Sequence, residues 1–101
     1  MIFSEIDTKS GLSFLYKLAD SNRSSLFELT FDKGDVILVK FDMAFEDDSS
    51  STDATDLNEN NEYHTLSFTI EKVINDATKH YRKGNIILIS PYTMPKEYKL
   101  K

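Results

Sequence analysis

Apolar and polar residues alternate along Leu26 to Phe45, LFELTFDKGDVILVKFDMAF, and every other segment of the chain has to find a place against this stretch. Phe27, Leu29 and Phe31 fall on one face with Glu28, Thr30 and Asp32 between them, the period of a strand with one side buried. Asp32-Lys33-Gly34-Asp35 interrupts the alternation with a glycine that takes a positive φ at little cost, so a hairpin is predicted. Beyond it Ile37, Val39, Phe41, Met43 and Phe45 form one face, and Leu38, Lys40, Asp42, Ala44 and Glu46 the other. About ten residues at ~3.3 Å each make a long strand for a small domain, which predicts a bulge or a strand that serves two sheet edges.

The spacing changes before this ribbon and returns after it. Leu12, Leu15, Tyr16 and Ala19, widened by Phe14 and Leu18, follow helical spacing within residues 8–20. Asp7, Thr8 or Ser10 can cap the start and Ser21-Asn22 the end, while Gly11, costing ~1 kcal/mol inside a helix, places the start after itself. Met1 to Phe3 reads as a short edge strand or an apolar clip. In Tyr63 to Ile74, Leu66, Phe68 and Ile70 share one face until the phase slips at Val73. Asn75 to Lys83 is a polar connection with room for one helical turn. Tyr81 to Ile89 then repeats the chemistry of Phe31 to Val39: aromatic, any residue, Lys, Gly, Asp or Asn, and four apolar residues. The flanks of the two copies differ, which favours convergence on one glycine turn over duplication.

The unbroken apolar run Ile86–Ile89 predicts a strand covered on both faces, and Ser90-Pro91 ends it. The tail from Tyr92 latches across the sheet or adds an edge strand. Strands are therefore expected near residues 26–32, 36–46, 63–74 and 85–90. The expected class is mainly β (α+β): a small antiparallel sheet curled into a partly open barrel of four to six strands with one N-terminal helix. The alternative is a helix lying flat on a four-stranded meander. Phe27, Leu29, Phe31, Ile37, Val39, Phe41, Leu66, Phe68, Ile70, Ile87 and Ile89 are the expected core.

Length and charge refine this picture. The 101 residues make one domain, 1–101, and the absence of cysteine removes disulfides, thiolate metal sites and cysteine nucleophiles. Neither a basic, apolar leader nor a run approaching the ~20 apolar residues of a membrane span is present, so a cytoplasmic protein without membrane contact is expected. The net charge of −5 is local in origin: Glu46, Asp47, Asp48, Asp53, Asp56, Glu59 and Glu62 contribute −7 without a lysine or arginine among them, leaving +2 elsewhere. With Leu57 its one large apolar residue, the 47–62 segment is expected to be a mobile acidic loop. Asp56, Asn58, Asn60 and Glu62 alternate like calcium ligands, yet Asn61 stands where the calcium loop needs glycine and Ser67 where it needs glutamate.

Catalytic chemistry has little to draw on. His64 and His80 show no metal-ligand spacing and read as surface residues. No serine lies in a nucleophile elbow, and three glycines build no phosphate loop. Asp35 and Asp42 read as solvent-facing strand acids, so no catalytic residue, metal or cofactor is assigned. Binding has more: Lys72, Lys79, His80, Tyr81, Arg82 and Lys83 form a basic, tyrosine-bearing cluster of the kind that holds single-stranded nucleic acid. Against it stands the acidity of the whole, and the seven carboxylates suit steering toward a basic protein surface. In size, local acidity and the KGD/KGN turn-strand pattern the chain resembles the β-rich immunity proteins that bacteria encode beside toxins and small phage-encoded inhibitors, a likeness of build rather than of motif. The resemblance implies a bacterial or phage protein, and the expectation is a non-catalytic binder that neutralises or modulates a protein partner.

Overall fold

Gly34 closes the predicted hairpin from a left-handed conformation, φ 96°. Its amide donates to the Phe31 carbonyl at 2.9 Å, and the Phe31 amide donates to the Asp35 carbonyl at 2.9 Å. This turn joins β1 (Leu26–Thr30) to β2 (Val36–Asp48) in a computed structural model that describes residues 3–48 and 62–101. β3 (Glu62–Asn75) runs antiparallel to β2, β4 (Ile86–Ile89) to β3, and β5 (Glu97–Leu100) to β1. The result is one antiparallel sheet of five strands in the order β4-β3-β2-β1-β5. β4 and β5 stand at opposite edges, so the sheet is not closed into a barrel, and the helices lie on one of its faces. The tail thus supplies an edge strand.

The helical segment divides at Gly11, φ 86°, into α1 (Glu5–Lys9) and α2 (Leu12–Ser21), where one helix was expected. The first helix forms because Ser4 and Asp7 make a reciprocal capping box. The second buries Leu12, Leu15 and Ala19 against Phe27, Leu29, Ile37, Val39, Phe41, Leu66, Phe68, Ile70 and Ile89. Phe31 and Ile87, expected in the core, pack half-buried at its margin.

The long strand does contain a bulge, and it changes which residues face the helices. Phe41 pairs with Phe68 but Met43 pairs with Ser67, so Asp42 is the extra residue. The side chains therefore change faces there: Ala44 joins the core margin, whereas Met43 and Phe45, expected beside Phe41, turn to the helix-free face. The bulge is held from two sides. Thr69 Oγ1 donates to Asp42 Oδ2 at 2.7 Å, and Arg23, lying 5.0 Å over the Phe41 ring, donates to the Asp42 carbonyl at 3.4 Å. On β3, further register shifts at Glu71 and Ile74 restore Val73 to the core side.

Two further expectations are corrected. β4 is an edge strand with one face bare, Ile86 and Leu88 being 65% and 53% exposed, because only Ile87 and Ile89 turn toward the core. β2 and β3 also run further into the acidic segment than expected, to Asp48 and from Glu62, and the remainder of the expected mobile loop lies outside the described residues. No helix among those described is long and apolar enough to cross a membrane.

Phe68 is fully buried and its ring lies 6.3 Å from that of Phe27 and 5.5 Å from that of Phe41, bridging β1, β2 and β3. Phe68→Ala is therefore expected to cost about 3–5 kcal/mol, read as a lower urea midpoint at unchanged slope.

Candidate functional site

Three places bring chemistry together, and the most buried is a carboxylate and imidazole pair that the sequence did not suggest. The capping box holds the Asp7 side chain at the start of α1, where Oδ2 accepts from the Ser4 amide at 2.9 Å. The same carboxylate receives the His64 amide on Oδ1 at 2.8 Å and lies 2.7 Å from His64 Nδ1 on Oδ2. Asp7 is 0% and His64 4% exposed. An ionised carboxylate only accepts, so Nδ1 carries the proton and donates it. Burial pushes the Asp7 carboxyl up, but the bonds from His64 and Ser4 outweigh it and hold the group below its ordinary value. His64, expected at the surface, is thus a correction: it has the parity of Leu66 and Phe68, and its ring meets Phe3 edge-on at 5.2 Å.

A histidine oriented by a carboxylate is half of a nucleophile-activating array. Here the other half is missing among the described residues. Nε2 has no hydrogen-bond partner there, the Glu46 carboxylate standing off at 3.8 Å, and no hydroxyl is bonded to it. The pair instead ties α1 to β3 across 57 positions of sequence.

The second place is a cleft of about 410 Å³ lined by Phe31, Asp35, Thr78, His80, Tyr81 and Met94 among others. Tyr81 stacks on Phe31 with ring centroids 5.4 Å apart. Asp35, read from sequence as facing solvent, is 2% exposed and accepts from the Thr78 amide at 2.9 Å and the Thr78 hydroxyl at 2.6 Å. Those bonds lower its pKa. Burial, with the Asp35 charge, raises that of the Tyr81 phenol. Asp35 therefore serves to fasten the 76–81 connection onto the hairpin turn, while Asp42 bonds Thr69, so the two acids do not share a partner.

The third place is the helix-free face of the sheet. Rows Ile86 to Thr69 to Lys40 and Leu88 to Ser67 to Met43 cross it, with Phe45 beside Thr65 in the next. Met43 is 55% exposed, so Ile86, Leu88 and Met43 present exposed apolar side chains on this face beside the buried Thr65 and Ser67. Beyond Phe45 the ribbon is acidic: exposed Glu46 pairs with His64 and places its carboxylate on the helix side, Asp47 and Asp48 continue β2 to its end opposite Tyr63 and Glu62, and Asp53, Asp56 and Glu59 lie outside the described residues. Because β1 pairs only with residues 36–40 of β2, and β4 only with residues 66–69 of β3, the acidic end belongs to a two-stranded ribbon beyond the rest of the sheet.

The basic cluster gathers at the opposite end of that ribbon. Lys72, Lys79, His80, Arg82 and Lys83 are exposed, whereas Tyr81 is half-buried with one ring face on Phe31. The helix-free face was missed because the alternation of β2 was carried through Asp42 without a break. A signal for the buried pair was available in two features: the Ser4-x-x-Asp7 capping pattern and the core-side parity of position 64.

The linkage of the pair to pH comes from the depressed Asp7 value: its contribution is present above the unfolded carboxylate pKa of about 3.9 and is lost as pH falls through the lower folded value. Asp7→Asn is expected to lower stability at pH 7 and to flatten its decline on acidification in urea unfolding from about pH 6 to 2. His64→Ala, which removes the imidazole donor from a buried carboxylate and empties the space the ring filled, is expected to cost about 3 kcal/mol at pH 7. Comparison of the chain with protein-family models, with curated proteins and with solved structures gives no match, so the site's own geometry carries the reading.

Proposed function

We propose that this is a non-catalytic, inhibitor-like protein of the cytoplasm that neutralises or modulates a protein partner through the helix-free face of its sheet and the acidic ribbon beside it. The observation that carries the reading is the exposure of Met43, Ile86 and Leu88 together on the helix-free face, next to the acidic end of the β2–β3 ribbon. Contiguous apolar surface with a charged rim is the ordinary composition of a protein interface, and methionine adapts its shape to a partner at small cost. A ribbon of one charge sign accelerates encounter with a basic surface and adds little to the final affinity. The partner is therefore expected to present a basic surface bordering apolar side chains.

The oligonucleotide reading has less support. Lys79, Arg82 and Lys83 supply phosphate contacts, but Tyr81, the ring of that cluster, spends one face on Phe31 and contributes to packing.

Affinity capture from nuclease-treated host extract tests the proposal. A protein is expected to be retained, with retention falling at least about tenfold for Met43→Glu, a substitution at an exposed position that leaves the fold intact. Recovery of nucleic acid alone, or retention indifferent to Met43→Glu and Leu88→Glu, overturns it.

A further inference from the structure

The two edges of the sheet are guarded unequally. On β5 Glu97 and Lys99 are charged, and Lys99 and Lys101 reach Glu28 of β1 at 3.1 and 3.6 Å. β4 is Ile86-Ile87-Leu88-Ile89, with none of the charges, prolines or bulges that keep a sheet edge from pairing with another chain.

The wiring of the ladder shows which backbone groups of β4 look outward. Ile70 donates to the Asn85 carbonyl at 2.8 Å and accepts from the Gly84 amide at 2.7 Å, so position 85 faces β3. The alternation of an antiparallel ladder then turns Ile87 and Ile89 toward β3, and Ile86 and Leu88 away from it. The Leu88 carbonyl accordingly meets the Thr93 hydroxyl outside the ladder, at 3.5 Å, a length at the limit of a hydrogen bond.

We propose that β4 pairs antiparallel with β4 of a second copy about a twofold axis at Ile87, joining the two sheets into one of twice the width. Ile86 of each copy then stands opposite Leu88 of the other, exchanging about four backbone hydrogen bonds in all and setting the two exposed aliphatic pairs side by side on one continuous helix-free face. Charge argues for a second copy over a foreign strand. Each β3 begins at the acidic end of the ribbon, where Glu46, Asp47, Asp48 and Glu62 stand in the ladder, and finishes at Asn75, next to Lys72, Lys79, Arg82 and Lys83. The twofold axis reverses β3 in the second copy, so the acidic end of each ribbon lies toward the basic end of the other. A four-residue edge buries less than the ~1,200 Å² of a stable interface, and the dimer is accordingly weak and sensitive to salt.

Sedimentation equilibrium of the full chain, from about 10 µM to about 1 mM, tests this. A reversible dimer is expected at low salt, with a dissociation constant that rises with added sodium chloride. Leu88→Pro removes an outward amide while leaving the bonds to β3, and Ile86→Lys charges an exposed position; each is expected to raise the dissociation constant at least about tenfold with thermal unfolding preserved. Met43→Glu, off the edge strand, leaves the dimer intact, which separates this contact from the partner face proposed above. A chain monomeric throughout, a dimer unmoved by salt, or one unmoved by Ile86→Lys overturns the proposal.

Discussion

Twelve residue pairs register β2 against β3, and the placement of nearly every other group depends on where that register shifts. Up to Phe41 and Phe68 the two strands present their apolar side chains together to α2, which is why the core is continuous across them. At Asp42 one extra residue reverses the facing of the residues beyond it. The consequence is a domain with two apolar surfaces, one closed by helices and one left open. Arg23 and Thr69 hold the bulge by bonding its carbonyl and its carboxylate, groups that would otherwise compete with the ladder.

The same strand pair explains why two acids are buried in a small domain. Asp7 and Asp35 each fasten a non-sheet segment to the ribbon, α1 in one case and the 76–81 connection in the other. Each accepts from a backbone amide together with a side-chain donor, and charge-assisted bonds of that kind offset the desolvation of a carboxylate. Both values are depressed, as expected of acids held in their charged form. The Asp7–His64 pair thus joins α1 to β3, as the Asp35–Thr78 bonds join the 76–81 connection to the hairpin turn.

Charge is partitioned along the ribbon as cleanly as hydrophobicity is partitioned across it. Acids collect where β2 and β3 leave their neighbours behind, and lysines and arginine collect where the 76–85 connection returns to the sheet. An edge strand without charges lies between them. Charge thus gathers at the two ends, while the exposed apolar side chains Met43, Ile86 and Leu88 lie along the strands that join them.

The sequence by itself determined the strands, the class of fold and the turns. Alternation over Phe27 to Phe31 and over Leu66 to Ile70, glycines at 34 and 84 in left-handed conformations, and a helix beginning after Gly11 and stopping at Asn22 are local matters of period and backbone freedom. What only the tertiary structure decided is which side of each strand meets the helices. Asp42 carries no mark of a bulge, so Met43 and Phe45 read as core until their partners on β3 are known. His64 has core parity, yet its burial depends on a carboxylate 57 residues away. Ile86 and Leu88 look like the interior of a sheet because four apolar residues in succession record hydrophobicity without recording whether a neighbour exists. A period of two specifies that the faces alternate; strand order and register specify which of them is wet.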